Sequence, residues 1–93
     1  MSLVLLLACA HDPDPVAGAD HYDLFCSSCH GADGTAGVQV DGVAATDLAV
    51  VPSLDDDTLT TVIQDGYLAM PAQQLDDDET ADVIAYLRET FPG

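Results

Sequence analysis

The pattern of apolar and polar residues in the second half of the chain predicts two helices, over residues 56–65 and 77–90. Each segment follows or overlaps a run of aspartates, whose charge suits the positive end of a helix dipole. Gly66 is expected to end the first of these helices. The second carries an apolar stripe, formed by Val83, Ile84, Leu87 and Phe91, with Tyr86 beside it.

A third helix is predicted nearer the start of the chain. Residues 10–15 contain two prolines and two aspartates and read as a linker. Asp14 can cap a helix that has Pro15 in its first turn and continues to His30. Spacings of three and four residues bring one set of side chains onto one helical face or close to it. The set is Gly18, Tyr22, Cys26, Cys29 and His30.

Residues 31–53 hold four glycines and one proline and show no sustained period. We expect a long loop here, which is unusual in so small a domain unless the loop wraps around something. No segment of the sequence has a convincing strand pattern. The predicted fold class is therefore all-α.

The first nine residues resemble an export signal, because residues 3–8 are apolar but too few to span a bilayer. The sequence LLAC resembles a bacterial lipobox, in which the cysteine becomes lipidated, although no Lys or Arg precedes it. We expect a periplasmic protein, anchored to the membrane through lipidated Cys9, with its functional domain over residues 16–93. A cleaved non-lipid signal and an apolar terminus with a free thiol are the alternatives.

Composition limits the core that this chain can build. Its 93 residues make one domain, aromatic residues are 5% of the chain, and there is no Trp. A large flat cofactor would supply the missing apolar volume.

The charge is strongly negative. The chain has 17 acidic residues, 15 of them Asp, and a single Lys or Arg, Arg88, which gives a formal charge of −16. Such a surface should repel nucleic acid and attract basic protein patches, although solubility in salty surroundings explains it equally well. We interpret the aspartate runs as helix caps rather than as a calcium site. Arg88 suits the end of its helix dipole and is assigned no other role.

Three chemistries use a Cys-x-x-Cys pair such as the one in CSSCH, residues 26–30: zinc binding, dithiol redox cycling and haem attachment. Zinc needs four ligands, and the remaining candidates, His11, His21 and Cys9, all lie upstream. A redox dithiol expects a preceding strand in a βαβ pattern, which this sequence lacks. Haem attachment uses both thiols, which add across two vinyl groups, and an imidazole that reaches the iron from the same side.

A haem held in this way needs a second axial ligand elsewhere. Met70, in the stretch GYLAMPA, is the chain's single methionine apart from Met1 and precedes Pro71. A thioether in a turn next to a proline is better explained as an iron ligand than as core filler. His11 and His21 are interpreted as facing solvent.

Over residues 16–91 the chain resembles a small bacterial class I cytochrome c. The likeness rests on CSSCHGADG, on GYLAMP at residues 66–71, and on the helix sequence ADVIAYL. It implies a small cytochrome c fold, in which three main helices and long loops surround one covalently attached haem. In that family Cys26 and Cys29 would form the thioether bonds, His30 would be the proximal ligand and Met70 the distal one.

The resemblance also extends to residues around the motif. Gly18 matches a glycine that lets the first helix cross closely over the last, and Tyr22 would pack near Val83 and Tyr86. The family usually has a proline whose backbone carbonyl receives the histidine ring N–H. Thr46 takes that place here, and Pro52 is the other possibility.

With both axial positions filled by protein, the implied function is electron transfer between redox proteins, not catalysis. Two alternatives remain: a gas sensor or weak peroxidase in which Met70 is labile, or a fixed haem subunit of a larger oxidoreductase. The expected partners carry basic docking patches. The expected apolar wall comprises Leu24, Leu48, Leu59, Val62, Ile63, Tyr67, Leu68 and Leu87.

Overall fold

Three long helices and one single-turn helix form the frame of the protein in the computed structural model, which describes residues 12–68 and 70–92. In chain order the helices are α1 (Pro15–Phe25), the single-turn α2 (Ser27–His30), α3 (Asp56–Asp65) and α4 (Asp77–Thr90). The all-α class and the arrangement of three main helices are confirmed. The expected export signal, Cys9 and His11 lie outside the described residues.

Capping side chains mark where the helices begin, and a glycine marks where α3 ends. Asp14 and Asp55 cap α1 and α3, each accepting a backbone N–H with its carboxylate. At α4, Asp76 accepts the N–H of Glu79 while the Glu79 carboxylate accepts that of Asp76. The bounds predicted for α3 and α4 are confirmed, and Gly66 follows α3 at φ +86°.

The segment between α2 and α3 is more regular than the loop we expected. Strands β1 (Gln39–Val40) and β2 (Val43–Ala44) form a short antiparallel hairpin, and a 3-10 helix spans Leu48–Ser53. The turn residues Asp41 and Gly42 both have positive φ, at 52° and 81°. An Asp-Gly pair adopts this mirror-image turn readily, and that turn matches the twist of the flanking strands.

Helices α1 and α4 cross in close contact at Gly18. A Cβ atom at this position would overlap the carbonyl oxygen of Asp82 and would lie 3.0 Å from the Cβ of Tyr86. The Asp82 carboxylate also accepts the backbone N–H of Asp14, at 2.8 Å, which holds the start of α1 against α4. The close crossing expected at Gly18 is therefore present.

An aromatic cluster continues this contact along the two helices. The Tyr22 ring centroid lies 5.2 Å from that of Tyr86 and 6.0 Å from that of Phe91. Tyr22 and Val83 are both buried in the same hydrophobic core. Aromatic pairs at these separations add to the area that they bury, so the contact fixes the angle at which α1 meets α4.

Arg88 has a structural role that we did not predict. Its guanidinium donates hydrogen bonds to the carbonyl oxygens of Val51 and Leu54 and to the carboxylate of Asp56. The side chain thus joins α4 to the 3-10 helix and to the start of α3.

Within residues 12–68 and 70–92, no helix is long and apolar enough to cross a membrane.

Candidate haem site

A cavity of about 550 Å³ opens between the helices and the segment that joins α2 to α3. This volume falls within the range of roughly 300–1,000 Å³ that ligand pockets occupy. Cys26, Cys29, His30 and Met70 all line it. None of the described lining residues is an Asp, Glu, Lys or Arg, although the chain carries 17 acidic residues.

The helix that we expected to run unbroken to His30 is interrupted at Cys26, where φ is −119°. The Ser27 hydroxyl donates to the carbonyl oxygen of Asp23, at 2.8 Å. In a regular helix that carbonyl would accept a backbone N–H, and a serine bond of this kind bends helices. The last four residues of the motif therefore form the separate short helix α2, with Cys26 as its N-cap.

The end of the motif is held by two residues that flank it. The Tyr22 hydroxyl donates to the carbonyl oxygen of Gly31, the residue after His30. Gly31 has a φ of 81°, which only glycine adopts at little cost, and the chain turns there. The carbonyl oxygen of His30 then accepts the N–H of Ala36, at 2.9 Å. The backbone on both sides of the imidazole is thus fixed.

The imidazole of His30 is oriented by the backbone of Thr46. Its Nδ1 lies 3.0 Å from the carbonyl oxygen of Thr46. A carbonyl oxygen only accepts hydrogen bonds, so the proton must sit on Nδ1. In the neutral ring this leaves Nε2 with its lone pair free to bind a metal. Of the two carbonyls considered from the sequence, Thr46 rather than Pro52 has this role.

The two motif cysteines are free thiols, with Cys26 buried and Cys29 half-buried. Burial, together with the nearby charge of Cys29, raises the pKa of the Cys26 thiol to about 11. A redox-active dithiol needs a lowered pKa, which yields the reactive thiolate. The environment of Cys26 does the opposite and disfavours dithiol cycling.

The described part of the chain offers no group of three or more His, Cys, Asp or Glu side chains that could hold a metal ion. A structural zinc site needs four such ligands. The zinc alternative and a calcium site in the aspartate runs therefore gain no support from the residues at hand.

Met70 sits in a tight turn that fixes its backbone. The N–H of Tyr67 donates to the carbonyl oxygen of Met70, at 3.0 Å, and the N–H of Met70 donates back, at 2.9 Å. A Cβ atom at Gly66 would lie only 2.7 Å from the Met70 carbonyl oxygen. The turn thus requires glycine at position 66, both for its positive φ and for this close approach. Met70 thus lines the cavity from a constrained turn.

The predicted apolar wall is mostly correct, with one error. Leu24 is 73% exposed and lies outside the cavity. It follows the buried Tyr22 by two positions, which is about 200° around a helix, so it faces away from the core. The other predicted wall residues line the cavity: Leu48, Leu59, Val62, Ile63, Tyr67, Leu68 and Leu87.

Apart from Leu48, the sequence reasoning missed the contribution of the segment between α2 and α3. Its apolar residues Val38, Val43, Val50 and Val51 also line the cavity. Their spacing has no period, because a hairpin and a 3-10 helix present them rather than one regular element. The only signal was the frequency of valine in a stretch that otherwise resembled a loop.

His21, which we expected to face solvent, is half-buried instead. Its Nε2 lies 4.0 Å from a carboxylate oxygen of Glu79, and its ring centroid lies 6.4 Å from that of Phe25. It is not among the residues that line the cavity, so it remains outside the site.

The residues of the cavity fit a haem. Two free thiols, an imidazole with Nε2 available and a thioether line one uncharged space. Apolar side chains from the helices and the intervening segment supply the surface that a porphyrin plane would cover.

Comparison with known proteins agrees with this chemistry. The family model described as cytochrome c oxidase, cbb3-type, subunit III, matches residues 13–87. No curated protein and no solved structure matches the chain significantly. The family match covers most of the chain, includes the whole CSSCH motif and Met70, and agrees with the fold: the chain belongs to this family of cytochrome c domains, which bind haem c and transfer electrons.

Proposed function

We propose that this chain is an electron carrier with one covalently bound haem c, ligated by His30 and Met70, and that it is not itself an enzyme. The observation that carries the proposal is the hydrogen bond from His30 Nδ1 to the Thr46 carbonyl. It fixes the tautomer that makes Nε2 a metal ligand, inside the cavity that Met70 also lines.

Cys26 and Cys29 would hold the haem through thioether bonds. Each S–H would add across one porphyrin vinyl group, with the sulfur on one carbon and a hydrogen on the other, so no oxidant would be consumed.

The bound haem supplies a one-electron ferric–ferrous couple. With His30 and Met70 both held by the chain as ligands, an electron would enter and leave with little change of geometry. The turn at residues 66–70 and the Thr46 carbonyl restrain the two ligands from separate parts of the chain. The uncharged cavity wall excludes water and favours the less charged ferrous state, and a His/Met pair holds the potential on the high side.

The redox partner is expected to present a basic surface. The chain's formal charge is −16, yet no acidic residue lines the cavity among the residues described. Long-range attraction would then steer a cationic protein, while contact at the cavity mouth would be made by uncharged side chains. Nucleic acid is not expected to bind.

A second candidate is that the chain serves as a fixed haem subunit of a larger oxidoreductase. The matching family is described as a subunit of a cytochrome c oxidase, which favours this arrangement. We propose export to the periplasm in either case, with lipidated Cys9 as the membrane anchor. Mass spectrometry of the mature protein checks both points, since one spectrum reports porphyrin bonded to the chain and acyl groups on Cys9. Purification with a catalytic subunit would separate the fixed subunit from a free carrier.

The ligand assignment is tested by Met70→Ala, with the exposed neighbour Gln74→Ala as a control. The Met70 variant should keep its covalent haem, bind carbon monoxide rapidly when reduced, and have a substantially lower potential. The control should behave like the unmodified protein. Rapid carbon monoxide uptake by the unmodified protein would instead favour the sensor, and an unchanged Met70→Ala variant would refute Met70 as a ligand.

A further inference from the structure

Arg88 is the chain's only Lys or Arg, and it bonds to three points on the elements that line the cavity. Its Nη1 donates to the carbonyl oxygen of Val51, at 2.9 Å. Its Nη2 donates to the carbonyl oxygen of Leu54 and to the carboxylate of Asp56, each at 2.7 Å. The guanidinium therefore lies where the 3-10 helix ends and α3 begins.

The two hydrogen bonds from Arg88 to carbonyl oxygens restrain the 3-10 helix more than the ion pair with Asp56 does. The Asp56 side chain is 74% exposed, and exposed ion pairs contribute little because water screens them. Val51 is almost fully buried, and its carbonyl oxygen also accepts the N–H of Leu54, at 3.1 Å, so the guanidinium adds a second bond where the 3-10 helix ends. A planar guanidinium can meet two separate carbonyls with two different nitrogens, which an ammonium group cannot reproduce in the same geometry.

The segment held by Arg88 leads directly to the acceptor of His30. The 3-10 helix begins at Leu48, whose N–H donates to the carbonyl oxygen of Gly34, at 3.0 Å. Asp47 caps this helix by accepting the N–H of Ala49, at 2.9 Å. Thr46 immediately precedes that cap. One short hydrogen-bonded element thus connects the anchor at Arg88 with the carbonyl that orients the imidazole.

We propose that Arg88 is a positioning residue for the haem ligand: it holds the 3-10 helix against α4 and thereby fixes the Thr46 carbonyl that orients His30. The inference rests on the proposed function, in that His30 binds the iron. Losing Arg88 should leave the haem attached but let the acceptor move away from the ring. The His30 Nδ1 proton would then exchange more readily, and the imidazole would become a poorer donor to ferric iron.

The experiment compares haem-loaded full-length variants. Arg88→Met removes all three bonds, and Asp56→Asn removes only the charge of the exposed ion partner. Gln64→Ala is the matched control, because Gln64 Nε2 bonds to Asp77 and Thr80 and so joins α3 to α4 away from the 3-10 helix. The readouts are the exchange rate of the His30 Nδ1 proton, measured by NMR on the reduced protein, and the reduction potential.

Arg88→Met should speed the exchange of this proton by about tenfold or more and raise the potential, because the protecting bond opens locally. Gln64→Ala and Asp56→Asn should leave the exchange within about twofold of the parent rate, and Arg88→Lys should fall between. Unchanged exchange in haem-loaded Arg88→Met, or equal acceleration in Gln64→Ala, would overturn the inference.

If Arg88→Met does not accumulate, Arg88→Lys decides the question, and parent-like exchange in that variant overturns the inference. Failure of the proposed function would be recognised differently. The unmodified protein would then carry no bound haem, or His30 would not be a ligand of its iron.

Discussion

His30 and Thr46 are joined by a hydrogen bond from the imidazole Nδ1 to the backbone carbonyl oxygen, across 3.0 Å. Because the acceptor is main chain, the Thr46 side chain is not required for it. We predict that Thr46→Pro retains haem and an unchanged reduction potential, with stability altered by less than about 1 kcal/mol. Potentiometric titration and denaturant unfolding measure both quantities. Thr46→Ala is the control, and a shifted potential in both variants would show that the hydroxyl takes part.

The crossing of α1 and α4 should tolerate no side chain at Gly18. A Cβ atom there would overlap the Asp82 carbonyl oxygen, so Gly18→Ala must push the helices apart. We expect a loss of about 1–3 kcal/mol in the free energy of unfolding, as overpacked cores show. Asp20→Ala, at an exposed position on the same helix, should change it by less than about 0.5 kcal/mol. Equal effects of the two substitutions would contradict the close crossing.

Tyr22 should make the free energy of unfolding depend on pH in the alkaline range. Burial, followed by the nearby charge of Cys26, raises the pKa of the Tyr22 hydroxyl from 10.0 to about 12. The protonated hydroxyl is the form that donates to Gly31, so its contribution is complete below pH 10.0 and is lost as the pH rises through about 12.

The Tyr22→Phe variant tests this dependence by removing the hydroxyl. At neutral pH it should lose about 0.5–1.5 kcal/mol, the usual net contribution of a hydrogen bond. Its deficit relative to the parent should shrink between pH 10.0 and about 12. Denaturant unfolding across this range provides the measurement, and Tyr67→Phe, at a largely exposed residue, is the control. A deficit that stays constant with pH would argue against the buried donor.

The rate of electron exchange should respond to salt in opposite directions for cationic and anionic reagents. With a formal charge of −16, the protein should react more slowly with a cationic reagent as ionic strength rises, and faster with an anionic one. Most of the change should occur by 0.1 M salt, where the Debye length is about 10 Å. Stopped-flow rates over a salt series measure the effect. A neutral reagent should show almost none, and parallel slopes for the two charged reagents would rule out steering by the acidic surface.

Features governed by local chemistry could be predicted from the sequence. The bounds of α3 and α4 follow from apolar spacing, aspartate caps and Gly66. The contact at Gly18 followed from the family resemblance. Cys26, Cys29, His30 and Met70, chosen from the spacing within CSSCH and the proline after Met70, line one cavity, and their roles toward a haem stay a prediction. Apart from the Gly18 contact, these signals lie within a few residues of the features that they indicate.

Features that depend on competition or on tertiary contacts could not be predicted. The break at Cys26 arises because the Ser27 hydroxyl takes a carbonyl that the helix would otherwise use. The sequence offered Thr46 and Pro52 as acceptors for the His30 ring, and the choice between them depends on how the segment between α2 and α3 folds back onto the motif. The bonds of Arg88 join residues that lie far apart in sequence, so its position in the last turn of α4 indicated only the dipole.

The single-turn length of α2 has a consequence for how this part of the chain can change. One added or deleted residue between Cys26 and His30 would rotate the histidine about 100° around the helix axis, away from the Thr46 oxygen. Replacing the exposed Ser28 with another residue leaves that geometry in place. The motif can thus vary in the chemistry of its intervening residues while its length stays invariant.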